Sequence, residues 1–191
     1  MSAAGLAATL AVVLVLVAVV VPLSSIAGRL DRLHIRLATA EASLDRQLVD
    51  RAAASAAVGH AAILDPAASM VLLAAAEHAR SASPAERGDA ESALSVDLRA
   101  VFHDPAAVDE WFDHPDAKPL LEELAASCDR VRLARRFHDD LVARTLGVRD
   151  RWLVRTAHLA GHAPRPTPAV FDDEPPEALS IATARGTAGR A

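Results

Sequence analysis

An uncharged, apolar segment at the N-terminus constrains this chain more than any other feature. No charged side chain precedes Arg29, and nearly all residues from Ala3 to Leu23 are aliphatic. A helix of about 20 such residues crosses a hydrocarbon core of about 30 Å. A cleaved signal peptide is the alternative, with Ser25-Ile26-Ala27 as its cleavage site, but signal peptides have a cationic start and an apolar core of roughly 7–15 residues. The segment therefore predicts a retained transmembrane helix within residues 1–28.

Three arginines that follow the apolar segment predict its orientation. Arg29, Arg32 and Arg36 come directly after it, whereas no cationic side chain precedes it. Because Lys and Arg accumulate on the cytoplasmic side, we expect a single-pass protein of the cell membrane with its N-terminus outside and the rest of the chain in the cytoplasm. We interpret these arginines as a flank that stops membrane transfer. Contact with anionic lipid headgroups, worth about 1 kcal/mol for each arginine, is the alternative.

Composition narrows the classes of fold and function. The 191 residues include one cysteine and no tyrosine, and 20 Lys+Arg stand against 25 Asp+Glu. A single cysteine excludes an intrachain disulfide scaffold, and the negative charge balance argues against a nucleic-acid partner. The dominant residues are Ala and Leu, which are strong helix formers, whereas residues typical of strands are few. The composition therefore predicts an all-α fold.

Apolar residues at helical spacing continue beyond the first segment. Between Leu23 and Ala57, Gly28 is the one residue that can break the helix. A first helix that runs on without interruption and a break at Gly28 are therefore both compatible with the sequence. Its apolar seam has spacings of 3 and 4 residues and then shifts in phase; it consists of Leu30, Leu33, Leu37, Ala40 and Leu44, followed by Leu48, Ala52 and Ala56. Further helix starts are predicted at Asp65-Pro66, at Ser83-Pro84 with Glu86 as a capping box, and at Lys118-Pro119.

These elements predict one architecture for the whole chain. The transmembrane helix of residues 1–28 is followed by an antiparallel bundle of three to four long helices in residues 29–162. Residues 163–191 are rich in Pro, Ala, Thr and Gly, so we expect a mostly disordered tail. Within this tail, Val170 and Phe171 are the residues expected to dock.

The last long helix is the best candidate for a partner surface. Its apolar seam comprises Leu121, Leu124, Cys128, Val131, Ala134, Phe137, Leu141, Val148 and Trp152. Arginines and aspartates alternate on the remaining surface, a pattern that usually indicates a solvated face with ion pairs. The residues that we single out as candidates for contact with a partner are Arg132, Arg135, Arg136, His138 and Asp139.

Motifs that carry chemistry are missing from the sequence. It contains no phosphate-binding loop, dinucleotide-binding glycines, nucleophile elbow or His-Glu-x-x-His zinc motif. His138, Asp139 and Asp140 are consecutive, so on a helix they point 100° apart and do not converge on one metal ion. His158 and His162 share i,i+4 spacing without an accompanying carboxylate, and we interpret them as residues near a helix C-terminus. Cys128 lies in the seam, which favours a small buried hydrophobe over a nucleophile. We predict no catalytic residue, metal site or cofactor.

The order of these features resembles the LemA family of bacterial membrane-anchored helical proteins. The matching stretches are Gln47-Leu48-Val49-Asp50-Arg51 in the first helix and residues 134–142, Ala-Arg-Arg-Phe-His-Asp-Asp-Leu-Val, in the last. The resemblance covers roughly residues 1–60 and 118–160. Ala52-Ala53-Ala54-Ser55-Ala56 replaces the family's Asp-Leu-Ile-Pro-Asn-Leu stretch, and His138-Asp139 replaces its tyrosine-asparagine pair. The resemblance implies a helical bundle on the cytoplasmic face of a bacterial membrane and no catalytic residue.

Two functional hypotheses follow from the sequence. The preferred one is a non-enzymatic scaffold or adaptor at the bacterial cell membrane that presents helix faces to a protein. Its partners would be the lipid bilayer and a protein that the sequence does not identify, and a homo-oligomer is compatible with the same pattern. The alternative is a membrane-bound enzyme or metal-dependent sensor that uses His138, Asp139, Asp140, His158 and His162.

Overall fold

Helices form all of the regular structure in the part of the chain that is described. The computed structural model describes residues 3–150 and 164–188, without some side chains at positions 3–27 and 186–188. Within these ranges there is no strand, which confirms the predicted all-α class. The helices are α1 (Ala3–His60), α2 (Pro66–Ser81), α3 (Arg87–Val101), α4 (Pro105–Asp113), α5 (Lys118–Arg149) and α6 (Glu177–Ala188).

The chain divides into two compact units. The first unit comprises Met1–Thr39 and Asp139–Pro168, and the second comprises Ala40–His138 and Ala169–Ala191. Both long helices, α1 and α5, contribute residues to each unit. The first unit has a small apolar cluster in which Leu30 and Val148 are buried, with Ile26 and Leu33 packed around them. The second unit contains the main hydrophobic core.

The N-terminal apolar segment lies in α1, which runs for 58 residues without a break at Gly28. Among the residues that the structure describes, no helix contains a stretch both long and apolar enough to cross a membrane. Within the predicted span of residues 1–28, the side chains at positions 1–4, 6–9, 15, 19, 22, 23 and 27 lie outside the described residues. The transmembrane helix therefore stays a prediction from the sequence.

Short polar side chains begin two of the helices. The Asp65 carboxylate accepts hydrogen bonds from the amides of Ala67 and Ala68 at 2.9 and 3.0 Å, with Pro66 as the first residue of α2. These bonds satisfy amides that have no partner within the helix. Asp104 accepts a bond from the amide of Ala106 in the same way and begins α4. The start predicted at Asp65-Pro66 is confirmed.

The capping box predicted at Ser83 forms only in part. The Glu86 carboxylate accepts a hydrogen bond from the Ser83 backbone amide, which is one half of the box. The Ser83 hydroxyl donates to the Glu86 carboxylate at 2.6 Å instead of accepting a bond from a backbone amide. This hydrogen bond holds the pKa of Glu86 below its usual value. Residues 84–86 form a turn, and α3 begins only at Arg87. The Ser83 hydroxyl caps no backbone amide, and the helix starts later than the motif indicates.

Residues from α1 to α6 form the core of the second unit. Its largest side chains that are almost fully buried include Leu72, Leu94, Leu98, Phe102, Val108, Leu121, Leu124 and Leu179. The Phe102 and Trp111 rings meet edge to face, with centroids 5.8 Å apart. The α1 seam is also buried here, and Leu44 and Leu48 pack against Val131 of α5. Burial of this apolar surface is the main favourable contribution to the stability of the unit.

The C-terminal residues are more ordered than their composition predicts. Residues 169–176, which we call the C-terminal strap, form no helix or strand, bend at Phe171 and lead into α6. Helix α6 contacts α4, and its Leu179 is only 1% exposed in the core. Of the two residues expected to dock, Phe171 packs against Leu44, Leu48 and Val131, whereas Val170 is 82% exposed. Residues 189–191 lie outside the described ranges.

Candidate functional site

The five predicted partner residues on α5 occupy different environments. Arg136 is exposed, Arg132 is partly buried, and Arg132 pairs with Asp129 at 3.5 Å. His138 is only 5% exposed, and its Nε2 lies 3.9 Å from the Glu41 carboxylate of α1. Asp139 is partly buried and belongs to the other compact unit. The predicted set is therefore divided by the fold, and it does not form one continuous exposed surface.

Arg135 binds the C-terminal strap. Its guanidinium pairs with the Asp173 carboxylate at 2.7 Å, and its Nε donates to the carbonyl oxygen of Ala169 at 3.2 Å. The guanidinium carbon also lies 4.9 Å from the centre of the Phe171 ring, which is a cation–π distance. Arg135 thus has an internal structural role, which the sequence pattern alone does not indicate.

An exposed face of α5 lies beside these internal contacts. Leu133 is 56% exposed and Phe137 is 61% exposed, and their i,i+4 spacing places them on one side of the helix. Arg132 and Arg136 adjoin them with the same spacing. We call these four residues the α5 face. It combines apolar, aromatic and arginine side chains, the types that are enriched at protein interfaces.

The exposure of Phe137 corrects the predicted seam. The sequence pattern places Phe137 in the core, but the buried positions of the second unit on α5 continue from Val131 to His138. In the first unit, the buried positions of α5 are Val142, Thr145 and Val148. Which of the adjacent residues 137 and 138 is buried depends on what packs against the helix. The sequence pattern predicts burial of Phe137, whereas the fold buries His138. A periodic continuation through His138, Val142 and Thr145 is the only signal in the sequence that indicates the correct face.

A buried ion pair that the sequence pattern does not indicate links α1 to α3. Arg51 is 1% exposed, and its guanidinium donates to the Glu91 carboxylate at 2.7 Å and to the Glu91 carbonyl oxygen at 3.1 Å. It also donates to the Ser95 hydroxyl at 2.9 Å. Burial raises the pKa of Glu91, and the charge of Arg51 offsets part of that rise. The Nε of Arg51 is buried and has no hydrogen-bond partner among the described residues.

The same helix, α3, holds the C-terminal strap. The Ser95 hydroxyl donates to the Asp172 carbonyl oxygen at 2.7 Å, and Arg99 forms an ion pair with the Asp172 carboxylate. This ion pair holds the pKa of Asp172 below its usual value. At Gly88, an added Cβ would lie 2.6 Å from the carbonyl oxygen of Val170, closer than any side chain tolerates. The strap therefore packs against α3 only if position 88 is glycine. Ion pairs with Arg99 and Arg135 hold it in place.

The described residues contain no cluster of three or more His, Cys, Asp or Glu side chains with the geometry of a metal site. His158 and His162, on which the metal-dependent hypothesis partly depends, lie outside the described residues. Cys128 is 2% exposed within the core, and burial raises its pKa, so its thiol is kept protonated. This agrees with the prediction of a small buried hydrophobe, since the thiolate is the reactive form of cysteine.

The chain was compared with known proteins at the level of sequence and of structure. No protein-family model, curated protein or solved structure matches it.

Proposed function

We propose that this protein is a non-enzymatic scaffold or adaptor, tethered to the bacterial cell membrane by its N-terminal helix. The helical bundle lies in the cytoplasm, and the α5 face presents a docking surface to a protein partner. We further propose that the chain is a divergent member of the LemA family, on the basis of the sequence stretches around Arg51 and Arg135. Tethering raises the local concentration of such a surface at the membrane without any catalytic step.

Exposed aliphatic side chains support the membrane tether. Eight described residues of α1 are each between 52% and 66% exposed: Leu10, Val12, Val13, Leu14, Leu16, Val17, Val20 and Val21. At 100° per residue they cover more than half of the circumference of the helix. An apolar surface of this extent is unfavourable in water, whereas hydrocarbon chains cover it without cost. This is the observation that carries the proposal.

The predicted topology has a direct test. A reporter fused after Ala191 that is active only in the cytoplasm is expected to be active in intact cells, because Arg29, Arg32 and Arg36 favour a cytoplasmic location for the residues that follow the span. The matched fusion joins a reporter that is active only outside the cytoplasm to the same position, and it should be silent. The reverse pattern of activity would refute the cytoplasmic bundle.

The α5 face supports the docking role. Exposed aromatic residues adjoining arginine are frequent among the few residues that dominate binding energy at interfaces. Phe137 meets this description and lies on a long helix that the core of the second unit holds in place through Leu121 and Leu124. A rigid element presents such residues with little loss of conformational entropy on binding.

A photo-reactive phenylalanine analogue at position 137 is expected to crosslink a specific protein in living cells. The matched control places the same analogue at Met70 of α2, which is 72% exposed, and this variant should give no specific product. In pull-downs of the full chain from solubilised membranes, Phe137→Ser should weaken partner recovery by about thirtyfold, since loss of a dominant aromatic contact costs about 2 kcal/mol. Equal crosslinking at positions 70 and 137, or unchanged recovery with Phe137→Ser, would contradict the docking role.

The enzyme or metal-sensor hypothesis makes a different prediction, so one measurement separates the two. Metal analysis of the purified full chain would have to find a stoichiometric ion that is lost when both His158 and His162 are changed. Of the other residues in that hypothesis, His138 is buried beside Glu41, whereas Asp140 is exposed and pairs with Arg144 at 2.9 Å.

A further inference from the structure

Four arginines surround one cavity in the first compact unit. Arg29, Arg32 and Arg36 come from α1, and Arg144 comes from α5. Together with Leu33, they line a space of about 190 Å³. The α1 arginines recur at spacings of 3 and 4 residues, so they share one face of the helix. All four arginines are exposed residues. Because guanidinium groups stay protonated at all physiological pH values, the lining of this small volume carries four positive charges.

The four arginines of this cavity have little acidic compensation nearby. No carboxylate lines the cavity in the part of the chain that the structure describes. Asp140 pairs with Arg144 at 2.9 Å from one helical turn away on α5, and both side chains are more than half exposed, so the neutralisation is weak. An anion in the cavity would interact favourably with all four guanidinium groups at once.

A stop-transfer flank does not account for Arg144. Such a flank needs only cationic residues directly after the membrane span, and Arg29, Arg32 and Arg36 already supply them. Arg144 comes from much later in the chain, and the folding of the first unit brings it to the same cavity. The fourth arginine therefore points to a binding site with a defined geometry.

We propose that this cavity binds a phosphate group. The planar guanidinium fork donates paired hydrogen bonds to phosphate oxygens, and several arginines around one point give both charge and geometry. At about 30 Å³ per water, the cavity of about 190 Å³ holds roughly six water molecules. This is enough for one phosphate group with some hydration and smaller than the pockets that enclose drug-sized ligands.

Two sources can supply the phosphate group. The first is the headgroup of an anionic phospholipid, because Arg29 lies only a few residues beyond the apolar segment that ends at Leu23. This source depends on the proposed membrane tether. The second source is free phosphate in solution, which needs no tether. An experiment can therefore refute the phosphate site without refuting the membrane tether, and the reverse.

Binding is tested with the full chain in a neutral detergent. Isothermal titration with inorganic phosphate measures binding of free phosphate. Native mass spectrometry in mixed micelles measures binding of a lipid headgroup, with phosphatidylglycerol as the anionic lipid and phosphatidylcholine as the neutral reference. We expect phosphatidylglycerol, inorganic phosphate or both to bind, and Arg32→Gln combined with Arg36→Gln to weaken binding at least tenfold. Arg144→Gln alone should weaken binding to a comparable degree.

The matched control removes the same charge elsewhere. Arg46→Gln combined with Arg80→Gln changes two exposed arginines of the second unit and should leave binding within twofold of the wild-type value. All variants are checked for unchanged helical content and melting temperature. Binding of the lipid alone identifies a headgroup site, and binding of inorganic phosphate with the same dependence on Arg144 identifies a free-phosphate site. The proposal is overturned if neither probe binds, if Arg144→Gln has no effect, or if the control variant weakens binding as much.

Discussion

Replacing Arg51 by Met is expected to lower the free energy of unfolding by about 3–5 kcal/mol. The substitution removes the guanidinium that donates to the Glu91 carboxylate, the Glu91 carbonyl oxygen and the Ser95 hydroxyl. Because the side chains of Arg51 and Glu91 are each only 2% exposed, water cannot replace the lost partner. Urea denaturation of the full chain, followed by circular dichroism, measures the change.

The stability that Arg51→Met loses relative to wild type should depend on pH. Burial already raises the pKa of Glu91 above its usual value, and Arg51 offsets part of that rise. Without the charge of Arg51, the pKa of Glu91 in the folded protein rises further. Glu91 then stays protonated in the folded variant at pH values where it is ionised in the unfolded chain. A group of this kind destabilises the fold increasingly as pH rises from the unfolded pKa through the folded one. The loss of stability relative to wild type should therefore grow as pH rises above the usual pKa of a glutamic acid.

A double substitution and a surface pair provide the controls. Arg51→Met combined with Glu91→Leu should recover most of the lost stability, since replacing both members of a buried pair by apolar residues is often neutral. Arg80→Met breaks the exposed pair with Glu77, at 3.8 Å, and should cost less than about 1 kcal/mol. An Arg51→Met variant within about 1 kcal/mol of wild type would contradict a buried pair that joins α1 to α3.

Leu124→Asp is expected to destabilise the second unit by more than about 4 kcal/mol, the range of the most disruptive substitutions. Leu124 is fully buried in the core. A carboxylate in that position has no cationic partner within the apolar cluster, so the protein must either protonate it or unfold around it. The measurement is thermal unfolding of the full chain followed by circular dichroism, and the cooperative transition of the wild type should be lost or shifted strongly downward.

The control for this substitution lies on the same helix. Leu133 is 56% exposed, so Leu133→Asp should change the free energy of unfolding by no more than about 0.5 kcal/mol. A wild-type melting temperature for Leu124→Asp would show that α5 does not bury this face. Equal losses for the two variants would show instead that the helix itself, and not its packing, is sensitive to the added charge.

Local signals in the sequence predicted several elements correctly. Helix α2 begins at Pro66 and helix α5 at Lys118, as the pairs Asp65-Pro66 and Lys118-Pro119 predict. The interactions that start a helix lie within one helical turn. The capping box at Ser83 forms only in part, because the Ser83 hydroxyl donates to the Glu86 carboxylate and caps no backbone amide. The residues of α6 combine Ala, Ser and Thr with no strong apolar pattern, so composition predicted disorder. Helix α6 is held mainly by burial of Leu179 against distant parts of the chain.

The candidate sites were only partly predictable, because they depend on which neighbours a residue acquires. The sequence indicated the arginine-rich part of α5 as a surface, and the α5 face lies there. It did not separate Arg136, which is exposed, from Arg135, which binds the strap through Asp173. Likewise, Arg29, Arg32 and Arg36 were recognised as a cluster, whereas the role of Arg144 depends on the contact of α5 with α1 in the first unit.

The sequence by itself determined the helical class, the long uncharged N-terminal segment and the seam from Leu44 to Ala52. Each of these follows from residue type and spacing within a few turns of one helix, and such properties do not depend on distant contacts. Only the tertiary structure decided that Arg51 is buried with Glu91, that Phe137 is exposed while His138 is buried, and that the strap docks on α3 and α5. These outcomes depend on desolvation and on pairing between residues far apart in the chain, and an amphipathic pattern leaves both undetermined.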